Sequence, residues 1–293
     1  MFNHQYNFDI DIPKEVITEE KHDYIFEQYL ENKVIIGLCG YGKSGKDTIA
    51  KKFIDIYEFH RVAFADNIKK EMNEHLRESV YKYLSSVSNL PNIKKKDIED
   101  GLLLEDRRTL TLDMIDFKTE DVPVKKRLRP FIIWYGEQLR EINGEYYWIN
   151  QAFKNDAKGH DKIILSDVRR KKELELFENS NAHSNRTLNV FALAGCSKQA
   201  PRFKTKSYST LLFHVSQLGL TDKDVLTHEC IRLAQEKWLF DDEFKVDPRI
   251  PEEGNHRDRL VSMQVVAIAG KHGVKTPDKD LNFPGKQMSI LDN

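Results

Sequence analysis

The residues with the clearest chemical capacity are Gly40-Tyr41-Gly42-Lys43-Ser44-Gly45-Lys46-Asp47-Thr48. Two glycines separated by four residues and followed at once by lysine have the spacing of a loop that wraps phosphate. Glycine lets backbone N–H groups turn inward toward phosphate oxygens, a helix N-terminus adds positive dipole, and Lys46 supplies a cation for the β/γ-phosphates. The position after the lysine ordinarily carries Ser or Thr to reach Mg²⁺. Here it is Asp47, followed by Thr48. A carboxylate and a hydroxyl are both hard oxygen ligands, so either could hold the metal.

A second group is Asp167-Val168-Arg169-Arg170 with Glu173. Asp167 ends an apolar run, the place where an acid can enter a Mg²⁺ shell or bind a substrate hydroxyl. The arginines suit two-point capture of phosphate. Glu173 lies one turn into a following helix, where its ordinary role is to face the helix dipole. A third group is the basic stretch over 196–210, with Lys198, Arg202, Lys204 and Lys206. Such a stretch can close as a lid over a transferring phosphate, or be a plain surface loop. Lys125, Lys126, Arg127 and Arg129 read as a solvated face or, alternatively, as cations lining an anionic pocket, with Arg129 just before Pro130 at a helix start. Trp134, Tyr135, Tyr147 and Trp148 suit core packing by default and a wall against a planar base as the competing role.

These residues need elements to hold them. Val34, Ile35, Ile36 and Leu38 read as a buried parallel strand entering the glycine loop, and Ile49, Phe53 and Ile56 mark one face of the helix after it. Residues 61–65 read as a short strand, with Asp66 or Asn67 capping a long helix that carries Ile68, Met72, Leu76, Tyr83 and Leu84. Residues 85–126 lose the pattern and read as an insertion or flap. Two helical segments follow, joined near Gly144, then strands over 162–166 and 187–193, a helix over about 222–238 and a short strand over 244–246. Alternation of strand and helix predicts a doubly wound α/β domain over 33–250. It is preceded by an extension, 1–32, with Phe26, Tyr29 and Leu30 at helical spacing outside the first strand, and followed by a segment over 251–293.

Hydrophobic residues make up 40% and charged residues 32%, with a formal net charge of −1, which disfavours a general binder of nucleic acid or of membrane surfaces. Three cysteines without a CxxC pair indicate neither a disulfide framework nor a zinc site. No leader pattern and no membrane-length apolar run is present, so a cytoplasmic protein is expected.

With these pieces in order, the sequence resembles the phage-type deoxynucleoside monophosphate kinases, a branch of the P-loop kinases. The stretches that carry the likeness are GYGKSGKDT (40–48), VAFADNIKKEM (62–72), WYGEQLREINGEYYW (134–148), SDVRRKKE (166–173) and HVSQLGL (214–220). In this family the loop reads GKDT, so Asp47 is the residue the resemblance leads one to expect. Asn67 stands where proline is usual and Gln217 where an acid is usual. GKDT and SDVRR are also similar to the animal-type phosphomevalonate kinases.

The resemblance implies a doubly wound, mainly parallel α/β sheet of the nucleoside-monophosphate-kinase type with helical insertions. It also implies ATP-dependent, Mg²⁺-assisted phosphorylation of a deoxynucleoside 5′-monophosphate, and a homodimer. Gly40, Gly42, Lys43, Ser44, Gly45, Lys46, Asp47 and Thr48 would bind ATP, with Asp47 or Thr48, and Asp167, serving the metal. Lys46, Asp167, Arg169 and Arg202 are the candidates for the transferring phosphate. Asp66, Lys69, Arg129, Trp134, Tyr135, Gln138, Arg140, Trp148, Arg169, Arg170 and Glu173 are those for the acceptor. The rival of another class is a P-loop NTPase acting as switch or motor, but no residue that would orient an attacking water is evident.

Overall fold

Among the described residues five strands form one sheet in the order β2-β3-β1-β4-β5: β1 Val34–Cys39, β2 His60–Val62, β3 Lys162–Leu165, β4 Asn189–Cys196 and β5 Phe240–Val246. The computed structural model describes residues 6–25, 27–30, 33–39, 46–88, 101–180, 189–196, 240–246, 255–271 and 274. β1 pairs in parallel with β3 and with β4, and β4 with β5. The expected α/β architecture with a parallel sheet is therefore present. β1 lies centrally because its residues are apolar toward both faces, as a parallel strand covered on both sides requires.

Contacts divide the chain into two compact units, one of residues 1–31 and 62–158, the other of 32–61 and 159–293. In the second unit, Ile36 and Leu38 of β1 and Ile164 of β3 pack with Ile49, Ala50, Phe53 and Tyr57 of helix α1 (Lys46–Tyr57). Val261, Val265 and Ala269, spaced four apart on a helix over Asn255–Lys271, join the same cluster. Gly37, between Ile36 and Leu38, faces the other way, toward Phe177 of helix α6 (Lys171–Ser180). This placement follows from strand alternation.

The first unit is built from helices α2 (Phe64–His75), α3 (Arg77–Ser88), α4 (Val122–Asn143) and α5 (Tyr147–Asn155). Met72, Val80, Leu104, Leu110, Ile115, Leu128, Tyr135, Leu139 and Trp148 are among its buried residues. Full burial of each such apolar side chain contributes about 1.5–3 kcal/mol. The segment read as a flap thus feeds the core from its described part: Leu104, Leu110, Ile115 and Phe117 are buried, and Leu103 bridges Thr109.

Several boundaries correct the sequence expectations. α2 starts after Ala63 with no side-chain cap, so neither Asp66 nor Asn67 caps it; Asn67 is buried and donates to Asp156 at 2.7 Å. The long helix expected after it is broken at Leu76 into α2 and α3. α4 starts at Val122, capped by Asp121, which accepts from the Val124 N–H at 3.2 Å; Pro130 lies inside the helix rather than at its start. The arm before β1 has short 3-10 turns at Lys14–Val16 and Glu27–Tyr29, and it belongs to the helical unit. Its Tyr6, Phe8, Ile10 and Ile12 alternate along an extended stretch and pack on that core, with Phe8 stacked on Phe131 at 4.2 Å.

The arm is pinned to the corner between α4 and α5. Asn143, fully buried, accepts from the Thr18 N–H at 3.0 Å and donates to the Val16 carbonyl at 2.8 Å. Asn150 donates to the Tyr24 carbonyl at 2.9 Å. The His22 backbone passes so near Gly144 that an added Cβ would stand 2.6 Å from the His22 carbonyl oxygen, and Gly144 has φ +102°. Glycine is required there on both counts.

Candidate active site

β1 ends at Cys39 and α1 begins at Lys46. Gly40, Gly42, Lys43, Ser44 and Gly45 lie outside the described residues. Lys46 is only 7% exposed in the first turn of α1, while Asp47 and Thr48 beside it are exposed. Burial first, and then the nearby Arg169 guanidinium, hold the Lys46 ammonium below the ordinary lysine range; Asp47 and Asp167 oppose that shift. Burial and a neighbouring cation both disfavour the charged form of an ammonium, and an anionic ligand favours it.

The turn after β3 stands against the end of β1. The Val168 N–H donates to the Leu38 carbonyl at 3.2 Å, joining the turn to the point where the glycine loop departs. Glu173, 5% exposed, accepts from the backbone N–H of Arg169 at 2.7 Å and of Arg170 at 3.0 Å. Its carboxylate is thus the reciprocal half of a capping box, and it fixes the backbone that carries both arginines. Asp167, Arg169 and Arg170 are partly exposed. Ser166 is buried, and its Oγ, like Arg169 Nε, has no hydrogen-bond partner. Sequence reasoning misses Ser166; the available signal is a hydroxyl placed directly between a buried strand and an acid.

In the helical unit, Asp66 pairs with Lys69 at 3.3 Å, and Arg140 pairs with Glu137 at 3.0 Å while donating to the Gly136 carbonyl at 3.2 Å. Arg129 and Gln138 are partly exposed on α4. Trp134, Tyr135 and Trp148 are 5%, 0% and 1% exposed, so these rings form core and do not present a wall to a ligand. Two of the polar edges are satisfied inside: Trp148 Nε1 donates to the Gly136 carbonyl at 3.0 Å, and the Tyr135 hydroxyl donates to Glu71 at 2.7 Å. The Tyr147 hydroxyl donates to the other Glu71 oxygen at 3.2 Å. Burial raises the Glu71 carboxyl pKa against the lowering effect of these two hydrogen bonds, and burial also pushes both phenols upward. Arg202, the rest of the basic lid stretch beyond β4, and His214 to Leu220 lie outside the described residues.

No family model matches the chain, and no curated protein matches it. Among solved structures it is similar to dephospho-CoA kinase from Campylobacter jejuni, at 14% identity and a TM-score of 0.37, over 82% of this chain and 97% of that one. It is also similar to TT1252 from Thermus thermophilus, at 12% identity and a TM-score of 0.31, over 81% and 97%.

The donor set at the carboxyl ends of β1 and β3 fits a phosphate chain with a hard cation. A buried ammonium, a guanidinium with an idle Nε and a buried idle hydroxyl offer donors for anionic oxygen, and Asp47, Thr48 and Asp167 offer the oxygens a Mg²⁺ would take. Among the described residues no cluster of three or more His, Cys, Asp or Glu could hold a metal by itself. Mg²⁺ characteristically takes one or two carboxylates and completes its shell with phosphate and water. Among the described residues no helix is long and apolar enough to cross a membrane.

Proposed function

We propose that the protein is an ATP-dependent phosphotransferase that phosphorylates a deoxynucleoside 5′-monophosphate. The observation that carries the reading is Lys46: a lysine buried to 7% exposure at the start of α1, beside Arg169, and held below its ordinary pKa. Burial and the Arg169 charge both disfavour the Lys46 ammonium, and a triphosphate is a ligand that would favour it.

In this reading Lys46 and the loop backbone hold the β/γ-phosphates. Arg169 and Arg170 bind phosphate oxygens from a turn whose backbone Glu173 fixes. Mg²⁺, held by Asp47 or Thr48 with Asp167 in its outer shell, would supply charge neutralisation on the phosphate oxygens. The acceptor is already an anionic oxygen nucleophile, so positioning and charge neutralisation carry the reaction without a strong base. Acceptor recognition is assigned, as the sequence resemblance implies, to Asp66, Lys69, Arg129, Gln138 and Arg140. Arg202 is kept as a lid cation, and a homodimer remains part of the proposal.

The test is an acceptor panel: purified protein, ATP and Mg²⁺ with each deoxynucleoside monophosphate, the ribonucleotides and phosphomevalonate, following ADP release. The expected result is turnover with at least one deoxynucleotide and none with phosphomevalonate. The reverse would move the assignment to another small-molecule kinase, and hydrolysis independent of any acceptor would favour a switch or motor.

A further inference from the structure

Two donors of one turn are buried without a partner, Ser166 Oγ and Arg169 Nε. Native proteins leave few such groups, because a buried donor without an acceptor costs about 1–3 kcal/mol. The turn around them is not loose. Val168 N–H is bonded to Leu38, and the N–H groups of Arg169 and Arg170 to Glu173. The backbone bonds are made while these two side-chain donors are left idle.

The position of Ser166 indicates what they wait for. Ile164 lies in the cluster with Ile36, Leu38 and α1 residues Ile49 and Phe53. Two residues on, strand alternation continues that face to Ser166, toward the start of α1, where Lys46 and Arg169 influence one another. Arg169 of the same turn has an Nε that also lacks an acceptor, and an anionic ligand would supply what both donors lack.

We propose that Ser166 is a nucleotide-binding residue whose hydroxyl donates to a phosphate oxygen of the bound nucleotide, beside Arg169 Nε, and is left without a partner until that oxygen arrives. The proposal rests on the phosphotransferase reading and deepens it. Ser166 takes no covalent part; it adds one hydrogen bond to a charged oxygen, a kind stronger than a neutral one. It also predicts an unusual combination, because the same hydroxyl burdens the ligand-free protein and strengthens the bound one.

Ser166→Ala and Ser166→Cys separate the two effects, since cysteine keeps the volume but offers only a weak donor. Thermal melting without ligand and ATP affinity in Mg²⁺ by titration calorimetry are measured on wild type and both variants. Without nucleotide the alanine variant should melt at the wild-type temperature or about 2 °C higher. ATP should bind both variants about tenfold more weakly. If wild type binds ATP and both variants bind it equally well, Ser166 is structural and the inference fails while the phosphotransferase reading stands. A fall of several degrees in the ligand-free alanine variant would show that the hydroxyl already has a partner, and the inference would fail in the same way. If wild type does not bind ATP, the phosphotransferase reading fails and takes this inference with it.

Discussion

Phe177 lies on Gly37 so closely that a Cβ added there would stand 2.3 Å from Phe177 Cζ and 2.8 Å from Cε2. The ring of α6 occupies the side-chain space of the central strand. Gly37→Ala should therefore cost about 1–3 kcal/mol, read as a lower melting temperature by circular dichroism. Adding Phe177→Leu should recover part of the loss. An unchanged melting temperature in the single variant would show that the ring swings aside freely.

Lys46→Ala should abolish most phosphoryl transfer, because the lost cation stabilises charge as the phosphate moves. Its melting temperature should hold, since burial disfavours the charge that the change removes. Near-normal transfer would remove the phosphate-loop assignment.

Asp47 and Thr48 are both exposed in the first turn of α1, and a metal titration tells them apart. With Asp47 as direct ligand, Asp47→Asn should raise the Mg²⁺ concentration for half-maximal rate while Thr48→Val does little. With Thr48 as ligand the pattern inverts. Equal metal dependence in both variants would sink either version.

Arg169→Lys should be damaging although charge is kept, because an ammonium cannot make a planar two-point contact. Glu173 holds the Arg169 and Arg170 backbone, so Glu173→Ala should reproduce part of the kinetic defect and lower stability as well. Wild-type kcat and KM in the lysine variant would return Arg169 to a plain helix-start residue.

Glu71 gives a pH signature. Its folded pKa is raised above 4.5 by burial, so above that pH the folded protein retains a proton that the unfolded chain has released. The stabilising contribution is complete below pH 4.5 and is lost as pH rises through the folded value. Urea midpoints taken across this range should fall with pH more steeply for wild type than for Glu71→Gln. Parallel curves would mean that Glu71 titrates alike in both states.

The parts written locally in the chain were the legible ones. The apolar run at Val34–Cys39, the turn after Lys162–Leu165 and the face of α1 each depend on neighbours a few residues away. The period-two pattern of Tyr6, Phe8, Ile10 and Ile12 is equally visible, but the helical spacing of later residues points toward a helix instead. Tyr135 and Trp148 could not be sorted into core or site from composition, because the partners that satisfy their polar edges inside the core, Glu71 and Gly136, come from other helices. The two units were hidden because neither is continuous in sequence.

That discontinuity, with the arm tied to Asn143 and Asn150, sets an order of assembly on the ribosome. The bonded pairs Thr18–Asn143, Val16–Asn143 and Tyr24–Asn150 are separated by 125, 127 and 126 residues. At a synthesis rate of about 5–20 residues per second, the arm emerges roughly 6 to 25 seconds before its partners exist. During that interval β1 and α1 also emerge, and they lack β3 until residue 162 and β4 until residue 189. The helical unit is thus the first that can close, and the apolar alternation of the arm must stay soluble, or be held by a chaperone, until it does.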